Sequence, residues 1–244
     1  FNGFFSWFNF EWFRRSHAGH HQYTVHHDLD LEVILPINVR WYQWIWGCTV
    51  SLPSIRRVLT TFARHAFGRG RDVVLKSDWE KRIFPVENTK SYRTMVLWAR
   101  FVLLAHACLA VFFVASGNWI LLILVTFAPF FTSWFGMLVG MPQHVGMRPD
   151  VPDWRQSTRT YLAGPIVRFF YWNMNYHVEH HMFAAVPFYN LPKLRKAIEN
   201  DLPIASKGLI ATWREIRETV RRQKADSTYY YTPELPPSAV ELSV

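Results

Sequence analysis

Two long apolar stretches dominate the hydrophobic pattern, at residues 95–116 and 119–140. Each is close to the ~20 residues that a helix needs to cross the hydrocarbon core of a bilayer. Only Arg100 and His106 interrupt the first stretch, and no charged residue interrupts the second. Because only a short turn at residues 116–118 joins them, the pattern predicts an antiparallel helical hairpin. Its two outer ends should lie on the same side of the membrane.

The remaining apolar positions form shorter segments. Residues 1–13 are rich in aromatic side chains, which is typical of the end of a membrane span or of an interfacial segment. Residues 36–52 carry four Trp and Tyr rings between two prolines, which predicts an interfacial helix. Residues 190–224 have apolar positions at helical spacing among many charges and predict cytosolic helices, the last of them over 201–224. Residues 225–244 predict an extended or disordered tail.

Basic residues flank the apolar stretches and give the chain a formal net charge of +9. Residues 54–93 form a strongly basic segment, which we interpret as a linker. Further arginines follow the second stretch, at Arg148, Arg155, Arg159 and Arg168. By the positive-inside rule both flanks should be cytosolic. This placement favours anionic lipid headgroups or an acidic protein as partners over nucleic acid, for which the chain has no binding motif.

The two cysteines, Cys48 and Cys108, lie in apolar segments without the spacing of a zinc site or a disulfide framework. We expect both to be small buried hydrophobic side chains.

Candidate chemistry comes from clustered histidines. The sequence SHAGHH places His17, His20 and His21 at positions i, i+3 and i+4, which share one face of a helix. The sequence NYHVEHH repeats this spacing with His177, His180 and His181, and MPQHVG adds His144 just after the second apolar stretch. Neutral imidazole is a good ligand for iron, zinc and copper. We therefore predict that these seven histidines bind metal.

Other polar residues near these clusters have several possible roles. We expect His26 and His27 to be solvated or to support the ligands from outside, His65 to lie on the surface, and His106 to be a neutral, hydrogen-bonded packing residue within a span. Carboxylates and amides could orient the ligand rings by accepting their second N–H. The candidates are Asp28, Asp30, Asn175 and Glu179.

These motifs resemble the histidine boxes of the integral-membrane fatty acid desaturase superfamily, up to about residue 200. HAGHH is similar to the second box, HVEHH to the third, and PQHVG to an extra ligand position between them. The resemblance implies two iron ions, a lipid or fatty-acyl substrate, dioxygen and a separate electron donor. That donor would be cytochrome b5 or a ferredoxin, because the sequence has no haem motif of the HPGG type. It also implies an integral membrane protein, in the endoplasmic reticulum if the source is eukaryotic.

The chain departs from the family pattern in one respect. The first box, of the form HxxxH, should precede the second, and no such motif precedes His17. We therefore expect that it lies upstream of Phe1 and that the sequence is truncated at its N-terminal end. The activity of the chain in this truncated form is accordingly open.

The resulting prediction is an all-α fold with multi-pass membrane helices and a cytosolic helical cap that carries the boxes. Residues 1–200 would form the desaturase-like domain. The resemblance favours desaturation of an acyl chain, with hydroxylation or ketolation of a lipid, alkane or carotenoid as the alternative. Two other possibilities are a non-catalytic membrane metal-binding protein and a zinc-dependent lipid hydrolase. Trp172, Tyr176 and Phe183 are candidates to line the site, although core packing is the commoner role for such residues.

Overall fold

The computed structural model describes residues 2–35, 41–131 and 133–239. The chain divides into two compact units. The first comprises residues 1–19 and 39–135, and the second comprises residues 20–38 and 136–244. Taken together, the described residues are mostly helical, in agreement with the helical character of the predicted fold.

The helices of the first unit are α1 (Asn2–Phe5), α2 (Phe10–Tyr23, which continues into the second unit), α3 (Trp41–Cys48), α4 (Leu52–Phe67), α5 (Arg71–Val74), α6 (Asp78–Ile83), α7 (Thr89–Ala115) and α8 (Trp119–Leu121). A π-helix (Leu122–Phe127) and a 3₁₀ turn (Ala128–Phe130) follow, and then α9 (Ser133–Gly140), which ends in the second unit.

The second unit continues with a 3₁₀ turn (Met141–Gln143), α10 (Trp154–Ser157), β1 (Tyr161–Leu162), α11 (Pro165–Phe170), α12 (His177–Met182), a 3₁₀ turn (Phe188–Asn190), α13 (Leu191–Ala197), a 3₁₀ turn (Glu199–Asp201), β2 (Ser206–Lys207) and α14 (Leu209–Ala225). The strands β1 and β2 form a short parallel pair, which the all-α prediction did not include.

Two helical stretches are long and apolar enough to cross a membrane, Thr89–Ala115 and Trp119–Gln143. They coincide with the predicted hairpin and are joined by a turn in which Gly117 has a positive φ of 73°. Large apolar side chains along them are exposed, among them Leu97, Leu104, Val111, Phe112 and Leu124. A core helix of a water-soluble protein would bury these side chains, so their exposure is that expected of helices in contact with lipid.

The second stretch is not a regular α-helix. It passes from α8 through a π-helix to a 3₁₀ turn that contains Pro129. Proline has no backbone N–H and its ring clashes with the carbonyl of the residue four positions earlier, so an α-helix cannot continue through it unchanged. The π and 3₁₀ turns accommodate this interruption.

The interfacial helix predicted for residues 36–52 corresponds to α3, which begins only at Trp41. Residues 36–40 lie outside the described part of the chain, so the structure does not test the start of that helix.

The basic segment at residues 54–93 is not a linker, and this interpretation was wrong. Most of it lies in helices α4 to α6, and α4 contributes to the core of the first unit. Phe62 and Ala66 are buried there with Trp7, Ala99 and Val102. Together with Ile55 and Val58, the α4 residues recur at intervals of three and four, so one face of a highly charged helix is apolar.

The buried carboxylate of Glu80 organises this segment. Its oxygens accept hydrogen bonds from Arg64 at 2.7 and 2.9 Å, from His65 Nε2 at 3.1 Å and from the Lys76 amide at 2.8 Å. Ser77 and Glu80 also form a reciprocal cap at the start of α6. His65 is therefore buried, and the prediction that it lies on the surface was wrong.

His106 has the packing role that the sequence predicted. Within the first unit its ring stacks on Phe4 and Trp7, both with centroids 4.4 Å away. Its nitrogens lie 3.1 Å from the Phe4 carbonyl oxygen and 3.3 Å from the Thr126 hydroxyl oxygen. These partners satisfy a polar ring within the apolar stretch of α7.

Both cysteines are exposed, contrary to the expectation that they would be buried. Cys108 lies on α7, many of whose apolar side chains also face outward. An apolar neighbourhood in sequence therefore did not mean burial within the protein, because the helix presents that face to its surroundings.

Buried ion pairs hold the second unit together. Arg159 donates to Glu215 at 2.7 Å and to the carbonyl oxygens of Pro142 and Val145 at 2.6 and 2.9 Å. Arg155 pairs with Asp153 at 2.8 Å and with Asp201 at 2.5 Å. From the sequence, both arginines were interpreted as positive charges that flank the second apolar stretch. In the structure, acidic side chains neutralise these charges within the second unit.

Part of the C-terminal stretch after residue 225 makes specific contacts. The Tyr231 amide donates to the Gly146 carbonyl oxygen at 2.8 Å, and Arg159 lies over the Tyr231 ring at 5.2 Å from its centroid. These contacts are within the second unit and connect the segment after α14 to the residues that follow His144.

Gly146 is expected to be intolerant of any side chain. Its φ is +74°, and an added Cβ would lie 2.5 Å from Thr219 Cγ2. A left-handed residue with a Cβ costs roughly 1–2 kcal/mol and overpacking roughly 1–3 kcal/mol more, so Gly146→Ala should destabilise the protein by about 2–5 kcal/mol. Thermal unfolding in detergent measures the change.

Gly164→Ala is the matched control, because an added Cβ there would meet nothing within 4 Å. Adding Thr219→Ser to Gly146→Ala removes the clashing methyl group and should recover part of the lost stability. An unchanged unfolding temperature of Gly146→Ala would contradict the close approach of Gly146 to Thr219 on α14.

Candidate metal centre

Helices α2 and α12 place both histidine triplets on short, well-formed helical segments. His20 and His21 lie in the last turns of α2, and α12 begins at His177. His144 follows the 3₁₀ turn that ends the second apolar stretch. Because residues three and four apart share a helix face, each triplet can direct its imidazoles to one side.

Four of these histidines form a buried group in the second unit: His20, His144, His177 and His181. One nitrogen from each lies within 4.8 Å of the others. His177 Nε2 is 2.9 Å from His144 Nε2 and 3.1 Å from His181 Nε2. We call this set the four-histidine group.

The opposite ring nitrogens of three members are held by polar partners. His20 Nδ1 donates to Asp30 Oδ2 at 2.7 Å, and His144 Nδ1 donates to the Ser157 carbonyl oxygen at 3.1 Å. His181 Nδ1 lies 3.0 Å from the Thr24 hydroxyl, whose own proton goes to the His20 carbonyl oxygen. These partners fix the ring orientations and keep the proton on Nδ1, so that Nε2 is the nitrogen that can bind a metal.

Burial favours the neutral form of two of these rings, those of His144 and His181. Desolvation, reinforced by the nearby His20, lowers the pKa of His144 to about 3. Burial, followed by the charges of neighbouring histidines, also lowers the pKa of His181 well below its ordinary value. An unprotonated imidazole has the lone pair that metal coordination requires.

Asp30 remains ionised despite its burial. Desolvation alone would raise its pKa, but hydrogen bonding and the charge interaction with His20, together with the Val25 and Glu32 amides, lower it below its ordinary value. As a carboxylate, Asp30 therefore accepts the hydrogen bond that His20 Nδ1–H donates. Asp30 is one of the four residues proposed from the sequence to orient the ligands, and it is hydrogen-bonded to a predicted ligand, His20.

A second pair of histidines adjoins the four-histidine group. His21 Nε2 lies 3.1 Å from His180 Nε2, and the His21 ring stacks on His181 with centroids 4.2 Å apart. His17 precedes His21 by one turn on α2 and therefore shares its helix face. Six of the seven predicted residues thus lie close together in the second unit, and His17 lies on the helix that leads into it.

The other predicted residues have different surroundings. Glu179 is buried, but its oxygens accept from Thr160 at 2.5 Å and Arg195 at 2.6 Å, and the Asn175 amide donates to the Tyr161 carbonyl oxygen. Asp28 is exposed, and half-exposed His27 pairs with Asp150. These residues support the backbone around α12 or lie at the surface.

Among the aromatic candidates to line the site, Tyr176 is buried, whereas Trp172 and Phe183 are exposed. Phe183 lines an open cavity of about 560 Å³ with Met182, Trp154 and Asp153.

Thr24 and Ser157 were not predicted from the sequence as partners of the ligand rings. Thr24 follows His20 by one helical turn, so its backbone bond to His20 is a local signal. Its contact with His181 joins residues 157 positions apart. The partner of His144 at Ser157 is a backbone carbonyl, which carries no residue-specific signal at all.

Replacing Asp30 by alanine is expected to weaken metal binding by about 10–100-fold, because His20 loses the carboxylate that fixes its ring. Metal titration of the purified protein measures the change. Asp28→Ala is the control, since Asp28 is exposed and only two residues away. Equal metal affinity in the Asp30 and Asp28 variants would exclude an orienting role for Asp30.

No curated protein and no solved structure matches the chain. The family profile described as "Fatty acid desaturase" matches residues 1–213, which is most of the sequence and includes both triplets and His144. Members of this family are membrane-associated oxidoreductases that act on lipids, and the two apolar helices agree with that setting. The chain therefore belongs to the fatty acid desaturase family.

Proposed function

We propose that this protein is a dioxygen-dependent, di-iron membrane oxidoreductase that introduces a double bond into a fatty-acyl chain. One observation carries the proposal: imidazoles from three distant stretches of a fatty acid desaturase family member converge on one buried place.

The donor set fits a metal. Two nitrogen ligands at about 2.1 Å from one ion and at about right angles are roughly 3 Å apart. The Nε2 atom of His177 lies at 2.9 and 3.1 Å from those of His144 and His181, and His21 and His180 repeat the spacing at 3.1 Å. Two neighbouring sets of nitrogen ligands are more than one zinc ion requires.

The residues divide into two candidate ligand sets. The four-histidine group would hold one ion. His21 and His180, with His17 one turn earlier on α2, would contribute ligands to a second. Bound iron would supply the dioxygen-dependent oxidation of an unactivated C–H bond, which no side chain can perform.

The protein's own contribution is orientation and exclusion of water. Asp30, Ser157 and Thr24 hold the Nδ1 protons and so aim the Nε2 atoms inward. The burial of the four rings keeps bulk water from the ligand atoms. Overall, the acyl chain would lose two hydrogens and dioxygen would become two waters, with two electrons and two protons supplied from outside.

An external electron donor, cytochrome b5 or a ferredoxin, would supply those electrons. Helix α14 carries exposed basic residues that suit an acidic protein, among them Arg214, Arg217 and Arg221. In this proposal the protein is multi-pass, the helical cap and its boxes face the cytosol, and the membrane is the endoplasmic reticulum if the source is eukaryotic.

The test combines metal and product analysis. The full-length protein is purified anaerobically in detergent for elemental analysis, and lipids of expressing cells are compared with those of cells that express His180→Ala. About two irons per chain with new double bonds is the expected result. New hydroxyl or keto groups would replace desaturation by hydroxylation or ketolation on the same site. Stoichiometric zinc, or no metal with unchanged lipids, would contradict the oxidoreductase assignment.

A further inference from the structure

An exposed aromatic surface lies next to the third histidine box. It comprises α11, the turn after it and the 3₁₀ turn that precedes α13, and its side chains belong to the second unit. Ile166, Phe169 and Phe170 are 73%, 75% and 65% exposed. We call the following set the aromatic face: Ile166, Phe169, Phe170, Trp172, Phe188 and Tyr189.

The side chains of the aromatic face are neighbours and do not fill a core. The rings of Phe169 and Phe170 are 5.2 Å apart, and those of Trp172 and Phe188 stack at 5.4 Å with an interplanar angle of 27°. The Trp172 amide donates to the Phe169 carbonyl oxygen at 3.3 Å, which connects the two pairs through one turn. Several large apolar side chains exposed on one short stretch of a stable protein mark an interaction site.

The backbone of the turn is unusual for a surface loop. Trp172 and Asn173 both have positive φ, at 52° and 54°. Left-handed conformation is unfavourable for a bulky residue such as tryptophan and persists where the surrounding structure requires it. Here the strained turn leaves an indole ring exposed instead of burying it, which points to a partner outside the protein.

Contacts within the second unit show which part of the second apolar stretch lies beside the aromatic face. The Tyr161 hydroxyl donates to the Val139 carbonyl oxygen at 2.9 Å. Tyr171, the residue after α11, is so close to Gly140 that a Cβ added at Gly140 would lie 3.4 Å from the Tyr171 hydroxyl oxygen. Val139 and Gly140 belong to the last turns of the second apolar stretch. The aromatic face therefore adjoins the point at which that stretch would leave the membrane.

We propose that the aromatic face inserts into the lipid leaflet at the membrane–water interface. Phe, Trp and Tyr are the residues that prefer this depth, since their rings are apolar and Trp and Tyr keep a polar tip in the headgroup region. The hydroxyl of Tyr189 and the indole N–H of Trp172 provide such tips. A short helix with three large exposed apolar residues then acts as an anchor parallel to the membrane.

Insertion has a consequence for substrate access. This consequence rests on the proposed function, whereas the insertion itself does not. His177 follows Trp172 by five residues, so the anchor and the four-histidine group are part of one short segment. An anchored α11 would hold that group beside the acyl chains of the leaflet.

The test uses a fluorescent probe at a single cysteine in the full-length protein. Cys48 and Cys108 are first replaced by serine. An environment-sensitive label is placed at Phe169→Cys and, in a second protein, at Ile166→Cys. Lys224→Cys on α14 is the control, because Lys224 is exposed among charged residues. Each protein is reconstituted into phosphatidylcholine nanodiscs with or without lipids that carry a nitroxide on the acyl chain.

The expected result is a blue-shifted emission at both α11 positions and several-fold stronger quenching by the nitroxide lipids than at Lys224→Cys. Equal, water-like emission at all three positions would overturn the proposal. A blue shift without lipid quenching, with fluorescence that depends on the number of proteins per disc, would instead assign the surface to a second copy of the chain. Metal content measured on the same samples tests the proposed function separately, so either proposal can fail alone.

Discussion

Replacing His180 by alanine should abolish product formation and remove about one of two bound metal ions per chain. His180 Nε2 lies 3.1 Å from His21 Nε2, and its ring is half-buried beside the four-histidine group. The substitution removes a ligand from the second proposed set and leaves the first set intact. Elemental analysis and lipid analysis of the full-length variant measure both effects.

His27→Ala is the matched control for this experiment. His27 belongs to the same histidine-rich region, but it is half-exposed and pairs with Asp150 outside the four-histidine group. Its replacement should change neither metal content nor product formation appreciably. Full activity in His180→Ala would contradict the assignment of the histidine boxes as the catalytic metal site.

Glu80→Ala should be the most destabilising single substitution in the segment between α4 and α7. It leaves the partly buried Arg64, the buried His65 and the Lys76 and Ser77 amides without their shared acceptor. Removing one partner of a buried, hydrogen-bonded ion pair costs about 3–5 kcal/mol. Thermal or denaturant unfolding of the protein in detergent measures the loss.

Asp72→Ala provides the comparison, because Asp72 is almost fully exposed and its contact with Lys81 is long, at 3.9 Å. Its expected effect is at most about 1 kcal/mol. Equal stability of the two variants would mean that the Glu80 network is not formed in solution.

The stability of the protein at low pH tests the Glu80 network independently. Burial alone would raise the pKa of Glu80, but hydrogen bonds from His65, Arg64 and the Ser77 amide together hold it far below the ordinary value of 4.5. A carboxyl whose pKa is lower in the folded state stabilises the fold above its unfolded pKa. That contribution should therefore be lost as the pH falls below 4.5, and Glu80→Gln should reduce this acid sensitivity.

The histidine clusters and the apolar hairpin could be predicted from the sequence, whereas the surroundings of individual residues could not. The histidine residues were recognisable because their spacing is local and matches one helix face. The apolar hairpin was recognisable because composition alone defines it. Pro129 could also be seen in the sequence, but it did not reveal that the preceding turn is a π-helix.

The errors concern residues whose environment is set by distant partners. His65 looked like a surface residue because charged residues surround it in sequence, but Glu80, 15 positions later, places it in the interior. Arg155 and Arg159 looked like free positive charges, but Asp201 and Glu215 neutralise them from 46 and 56 positions away. Such long-range pairings have no periodic signal, so the pattern of a single sequence does not reveal them.

The separation of the two triplets along the chain also sets an order of events during synthesis. His21 and His180 are 159 positions apart, and the second unit takes its residues from both sides of the apolar stretches. At about 5–20 residues per second, translation needs roughly 8–30 s to pass from one triplet to the other. During that interval the first triplet is a helical histidine cluster without its counterpart. In the proposed function, a metal bound at that stage would be held by few ligands, and the complete ligand sets would exist only after the second triplet has been made.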